Sequence, residues 1–293
     1  MTRVCLSLLF ALACLPSHAE IVVTDVTGTS IHLALPARRI VSLAPYITEL
    51  LFAAGAGDRM VGNVDYGDYP SSAKTLPKVG GHSRLDLEVI VALKPDLVMG
   101  WESGNAPASI ARLRTLGLTV HLSQPNRIED IPGELERIGK LAGTEVVANV
   151  AASAFRERYA KLASRYGQRP PVNVFYQIWK QPLMTVNGKQ IISDALRLCG
   201  GRNVFSQLPI LAPTVTEEAV IAANPEVIVA SGMGEYRPEW LDDWRRWNKL
   251  TAVVRNNLFS VPPDLIQRHT VRILDGTEQL CGYLEAARAK RGK

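Results

Sequence analysis

Short apolar runs alternate with stretches of helical periodicity along most of this chain. RRIVSLAP places a buried strand at Ile40 to Leu43, stopped by Pro45, and ITELLFAAGAG continues as a helix whose end is marked by Gly55 and Gly57. MVGNV reads as a second strand, LDLEVIVALKPDLVMGW as a helix closed at Pro95 and then a strand from Leu97 to Trp101. PASIARLRTLG and LTVHLSQ give another helix and a strand from Leu118 to Ser123. Before them, IVVTDVTGTSIHL has β-branched residues on both sides of Gly28, the pattern of a small hairpin. Strands and helices alternating in this way predict a mainly parallel sheet with helices on its faces.

From Thr144 to Tyr166 the pattern changes, with apolar residues at helical spacing and neither Pro nor Gly. Such a helix would be about 30 Å long at 1.5 Å per residue. After Pro170 and Pro171 the alternation resumes with VNVFYQI, ISDALRLCGG and VTEEAVIAANPEVIVASG, and ends near the strand LFSVP. The predicted fold is α/β, two pseudo-symmetric lobes with mainly parallel sheets joined by one long α-helix. The boundaries expected are 20–143 for the first lobe, 144–168 for the linking helix and 169–293 for the second lobe.

One pattern occurs twice. In LDLEVIVALKPDLVMGW and VTEEAVIAANPEVIVASG a Glu (Glu88, Glu218) precedes an Ala by four residues and a Pro by seven, followed by an acid (Asp96, Glu226) and an apolar run. Each Glu stands two residues after a candidate N-cap, Asp86 or Thr216. An acid in a first helical turn complements the helix dipole by typically 0.3–1 kcal/mol. The matched pair implies more, two carboxylates at equivalent corners of the two lobes, as a symmetric partner would require.

Composition changes this picture mainly at the start of the chain. Arg3, an apolar run from Val4 to Leu15, Pro16 and the triplet Ser17, His18, Ala19 read as a secretory signal over 1–19, cleaved after Ala19. The run is too short to span a bilayer core of about 30 Å. A lipid anchor at Cys14 is the alternative, although the leucine usual three residues earlier is missing. Removal of the signal leaves Cys199 and Cys281, an even pair in an oxidising compartment and so an expected disulfide, with two separate buried thiols as the alternative. The formal net charge of +5 is dispersed among acids, which does not indicate nucleic-acid binding.

Ligand contacts in open α/β sheets come from loops beyond the carboxyl ends of strands. Those loops hold Tyr46, Tyr66, Tyr69, His82, Trp101, Trp179 and Arg268. Flat aromatic faces with a few donors suit a broad amphipathic ligand. His82, in a Gly-Gly-His-Ser loop, reads as a solvated or hydrogen-bonding residue, with axial ligation of a cofactor metal as the alternative. Trp240, Trp244 and Trp247 at helical spacing read as a packing stripe rather than a second aromatic platform. Asp65, Asp68 and Glu102 lie beside turn residues, where turn stabilisation outweighs acid–base chemistry. The sequence has no phosphate loop, no Gly-x-Ser-x-Gly elbow and no His/Cys cluster at metal-site spacing. No catalysis and no resident metal are expected, and an exported hydrolase is a remote alternative.

The segments RRIVSLAPYITELLFAAGAGDRMVG, VDYGDYP, LEVIVALKPDLVMGW, LRLCGGRNVF and VTEEAVIAANPEVIV resemble the periplasmic substrate-binding proteins of ABC importers that have a single linking helix. DYGDYP, GWESGN and the cysteines of LRLCGG and EQLCGY are most similar to the cobalamin-binding members. The resemblance implies a periplasmic receptor that carries cobalamin as transported ligand to an ABC permease dimer in the inner membrane, acting as a monomer. It implies docking of Glu88 and Glu218 on permease arginines, a Cys199–Cys281 disulfide, and cobalamin contacts from Tyr66, Trp101 and Arg268. The chain departs from that pattern at His82 and Leu211, which stand where aromatic residues are usual, so a haem or ferric-siderophore receptor is the alternative.

Overall fold

The computed structural model describes residues 20–81, 84–232 and 237–291. Two four-stranded parallel sheets organise it. In the first, strands Met60–Asn63, Ile40–Ser42, Leu97–Trp101 and Val120–Ser123 lie in that spatial order. In the second the order is Gly201–Asn203, Val172–Gln177, Val227–Ala230 and Leu258–Ser260. Numbered within its own half, each sheet runs 2-1-3-4, so the two halves repeat one topology. The strands are buried along nearly their whole length, as parallel strands covered on both faces must be. The expected hairpin pairs Ile21–Thr24 with Ser30–Leu33, and Gly28 in its turn takes φ of 82°, which glycine adopts without steric cost.

A 22-residue helix, Glu145–Tyr166, connects the halves in sequence. Its Ala148, Ala152 and Phe155 belong to a hydrophobic cluster that includes Tyr46 and Ile128 from the first half and Ile191, Ile192 and Leu280 from the second. A core continuous across both sheets restrains the relative motion that a thin polar interface would permit. Gly139, in the helix Ile131–Ala142, makes that packing close: a Cβ there would sit 2.5 Å from Ala148 Cβ. A disulfide joins Cys199 at the end of one helix to Cys281 within the helix Ile273–Ala289, both buried.

The repeated sequence pattern is one repeated structure. Asp86 caps the helix Leu87–Ala92 by accepting from Val89 N–H at 3.0 Å, and Thr216 caps Glu217–Ala223 by accepting from Ala219 N–H at 3.2 Å. Positions 84–90 and 214–220 alternate between exposed and half-buried in the same order and both end on a buried residue, Ile90 and Val220. The acid after each proline has a structural role. Asp96 donates its N–H to Arg39 O (3.0 Å) and accepts from Arg39 N–H (3.0 Å). Glu226 does the same with Asn173, at 2.9 and 3.2 Å. Each acid thereby clips its own strand to the start of the neighbouring first strand of its sheet.

Candidate ligand cleft between the lobes

The 2-1-3-4 order makes a switch point beside the first strand of each sheet, and the carboxyl ends of the strands are where such sheets bind ligands. A cavity of about 320 Å³ lies there between the two halves. Trp101, at the end of the strand Leu97–Trp101, supplies one wall with Ser103, Gln124 and Asn126 from the segments that follow that strand and Val120–Ser123. Ile178, Gln190, Leu211, Gln267 and His269 supply the other. A larger recess of about 480 Å³ in the second half is bordered by the charged pair Lys180–Asp243 at 2.8 Å and the pair Arg246–Glu217. The first cavity is the better candidate because both halves build it and its walls are mainly apolar and neutral polar, with Lys189 the one charged residue among them.

Trp101 is fixed from two sides. Its indole Nε1–H donates to Gln124 Oε1 at 2.8 Å, an oxygen that also accepts from Ser103 Oγ at 2.8 Å. Its backbone N–H donates to Asn105 Oδ1 at 2.6 Å. Tyr46 lies beneath, buried, with its hydroxyl donating to Ser123 O at 3.0 Å and its ring edge-on to Trp101 at 5.8 Å. His269 closes the cluster, 5.1 Å from Tyr46 and 6.3 Å from Trp101 between ring centroids. Burial pushes the His269 imidazole down to about 4, so it is neutral at ordinary pH. The sequence reading missed His269, Gln124 and Gln267. Neither periodicity nor composition singles out His269; only the position beyond the last strand, shared with Arg268, points to it.

The other candidates lie further out. Tyr66, at φ 61°, and Tyr69 are exposed, and Trp179 is half-exposed with its Nε1–H bonded to Gln181 O at 2.9 Å. None of the three lines the 320 Å³ cavity. Arg268 also points elsewhere: its guanidinium meets Glu49 at 2.8 Å, Asp68 at 3.0 Å and Asp264 at 2.9 Å. Arg272 binds the same Glu49 through Nε (2.9 Å) and Nη2 (2.6 Å) and covers the Tyr69 ring at 3.8 Å. Glu49 comes from the helix Pro45–Ala53 of the first half, so this cluster clamps the halves together beside the cavity. Asp68 thus has a partner across the halves and is more than a turn residue. His82 lies outside the described residues, as do the signal region and Cys14. Trp244 packs edge-on to Phe175 at 5.6 Å from a 3-10 segment, Glu239–Arg246, while Trp247 is partly exposed and bonds Glu217 at 3.3 Å, so the expected stripe is divided between core and surface.

Glu88 and Glu218 are both exposed, at the matched helix starts. The Glu218 carboxyl is held below the usual range by its own backbone N–H and then by the Thr216 side chain. Among the described residues no group of three or more His, Cys, Asp or Glu is placed to hold a metal ion, and no helix is long and apolar enough to cross a membrane.

Two parallel-sheet lobes, one linking helix and an aromatic cavity between the lobes define a bilobed ligand-binding protein. The chain belongs to the periplasmic binding protein family, whose model matches residues 40–265. It is 36% identical to the vitamin B12-binding protein of Vibrio cholerae over 263 residues, 89% of this chain and 94% of the relative. With the protein of that name from Photorhabdus laumondii it shares 34% identity over 246 residues, 84% of this chain and 87% of the relative. The crystal structure of the periplasmic vitamin B12 binding protein BtuF of V. cholerae matches with a TM-score of 0.81 at 36% identity, covering 86% of this chain and 98% of that one. The periplasmic heme-binding protein RhuT from Roseiflexus sp. RS-1, 23% identical with a TM-score of 0.74 over 86% of this chain and 99% of that one, shares the fold.

Proposed function

We propose that this protein is a periplasmic receptor that binds cobalamin between its lobes and delivers it to an ABC permease dimer, performing no chemistry itself. The observation that carries the reading is a largely apolar cavity between two lobes, edged by Trp101 and His269, in a chain 36% identical over 89% of its length to a vitamin B12-binding protein. On this reading residues 1–19 are a signal cleaved after Ala19, and 20–143 and 169–293 are lobes hinged on 144–168 in a monomer.

A corrin ring is broader than the 320 Å³ cavity. One edge of the ring therefore enters against Trp101 and His269, and the remainder lies on the exposed faces of Tyr66 and Trp179. Tyr46 acts beneath Trp101 as its support. Arg268 and Tyr69 act through the interlobe clamp, by holding the two walls at a fixed separation. Glu88 and Glu218 form the docking pair, two carboxylates at pseudo-symmetric corners facing arginines of the two permease subunits, where complementary charge governs both encounter and register. His82 is assigned a hydrogen bond to the ligand on this reading.

The test is to incubate the purified protein with an equimolar mixture of cyanocobalamin, haemin and a ferric hydroxamate siderophore, remove free ligand and record the visible spectrum. Retention of the corrin bands alone is expected. A Soret band or a siderophore charge-transfer band in their place overturns the reading.

A further inference from the structure

Taking the cobalamin reading as its basis, we infer that His269 is a specificity-determining residue of the cleft, which selects a macrocycle bearing carboxamides over one bearing carboxylates by hydrogen-bonding a peripheral amide. His269 lines the interlobe cavity yet is only 5% exposed, and its Nδ1 is buried without a hydrogen-bond partner among the described residues. A buried polar atom left unpaired carries an uncompensated desolvation penalty, which a ligand group bonding to it would recover. Aromatic contacts from Tyr46 and Trp101 on the opposite lobe hold the ring in place.

The chemistry of the partner follows from charge. Of the residues that line the cavity, Lys189 alone carries a formal charge. The neighbouring arginine, Arg268, already faces three carboxylates. A carboxylate entering beside His269 would give up its hydration against a neutral imidazole, with Lys189 the single cation among the cavity-lining residues to offset that penalty. A neutral imidazole offers one donor and one acceptor, and a primary amide carries both complements. Burial keeps the imidazole in that neutral form. Corrinoids carry amides at their periphery, whereas haem and many siderophores carry carboxylates, so one residue separates ligands that this scaffold otherwise accommodates.

The experiment compares dissociation constants for cyanocobalamin and for its separated monocarboxylic acids, each with one peripheral amide hydrolysed, in the full-length mature protein at pH 7.5. The wild type should bind at least one of those acids tenfold or more weakly than cyanocobalamin. His269→Phe keeps a ring and loses both nitrogens; it should weaken cyanocobalamin at least tenfold and bring the acids level with it. His269→Gln restores a donor and an acceptor and should stay within about threefold of wild type, with discrimination retained. Circular dichroism confirms that each variant is folded. Equal affinity of the wild type for all the acids and cyanocobalamin overturns the inference without any variant. Discrimination that survives in His269→Phe overturns it as well. A wild type that binds no cyanocobalamin overturns the functional reading first, and the inference with it.

Discussion

Replacing Glu49 by Gln removes the charge at the centre of the interlobe clamp while nearly preserving its shape. The Glu49 side chain is 2% exposed and accepts three hydrogen bonds, one from Arg268 and two from Arg272, whose side chains are 13% and 16% exposed. Arg268 would keep Asp68 and Asp264, but Glu49 is the carboxylate bound by Arg272 in two places. Breaking a buried pair from one side typically costs about 3–5 kcal/mol, because the remaining charge stays buried and uncompensated. For a chain of this size roughly 2 °C is lost per kcal/mol, so the melting temperature should fall by roughly 6–10 °C. Asp68→Asn touches the same Arg268, yet Asp68 is 46% exposed, and solvent screening limits its loss to about 1 kcal/mol or less. Differential scanning calorimetry of both variants measures the contrast. Equal losses, or a Glu49→Gln shift under about 2 °C, would refute the claim that burial sets the strength of this clamp.

Three further outcomes are expected. Trp101→Ala should weaken cyanocobalamin by about 1–3 kcal/mol, as for removal of an aromatic anchor, and an unchanged calorimetric affinity would take Trp101 out of the site. The Glu88→Lys, Glu218→Lys double variant should bind cyanocobalamin normally but fail to support uptake; normal uptake with a slightly lowered melting temperature would leave both acids with only a helix-dipole role. Because the His269 pKa is depressed from 6.5 to about 4 on folding, its contribution is fully present above pH 6.5 and is lost as the pH falls to about 4. The loss approaches about 3 kcal/mol. Urea unfolding at pH 7 and pH 4 should show a smaller acid loss in His269→Gln, and an identical loss would contradict the assignment.

The sequence was most informative where one interaction dominates locally. Buried parallel strands appear as β-branched and aliphatic runs, and the two N-caps and the glutamates behind them could be placed because capping is a matter of adjacent residues. The helices Ile131–Ala142 and Ile273–Ala289 were not legible. Pro132, Gly133 and Gly139 make the first look like a turn, and Gly276 and Gly282 interrupt the second. Two of those glycines serve packing between elements: Gly139 lies against Ala148, and a Cβ at Gly276 would meet Leu265 O at 2.4 Å. The site followed the same division. Strand order located the cleft, and Trp101 ends a recognisable strand. Arg268 was placed at the cleft because its loop is there. Its direction depends on Glu49, which is 219 residues away in sequence. His269 became visible only once Tyr46 and Trp101 were seen beside it.

The most direct test is a crystal structure of the protein grown with cyanocobalamin. The account predicts one corrin between the lobes, its edge in van der Waals contact with Trp101 and a peripheral amide within hydrogen-bonding distance of His269. Density for the ligand in the recess beside Lys180 and Trp240, or none between the lobes at saturating cyanocobalamin, would contradict it.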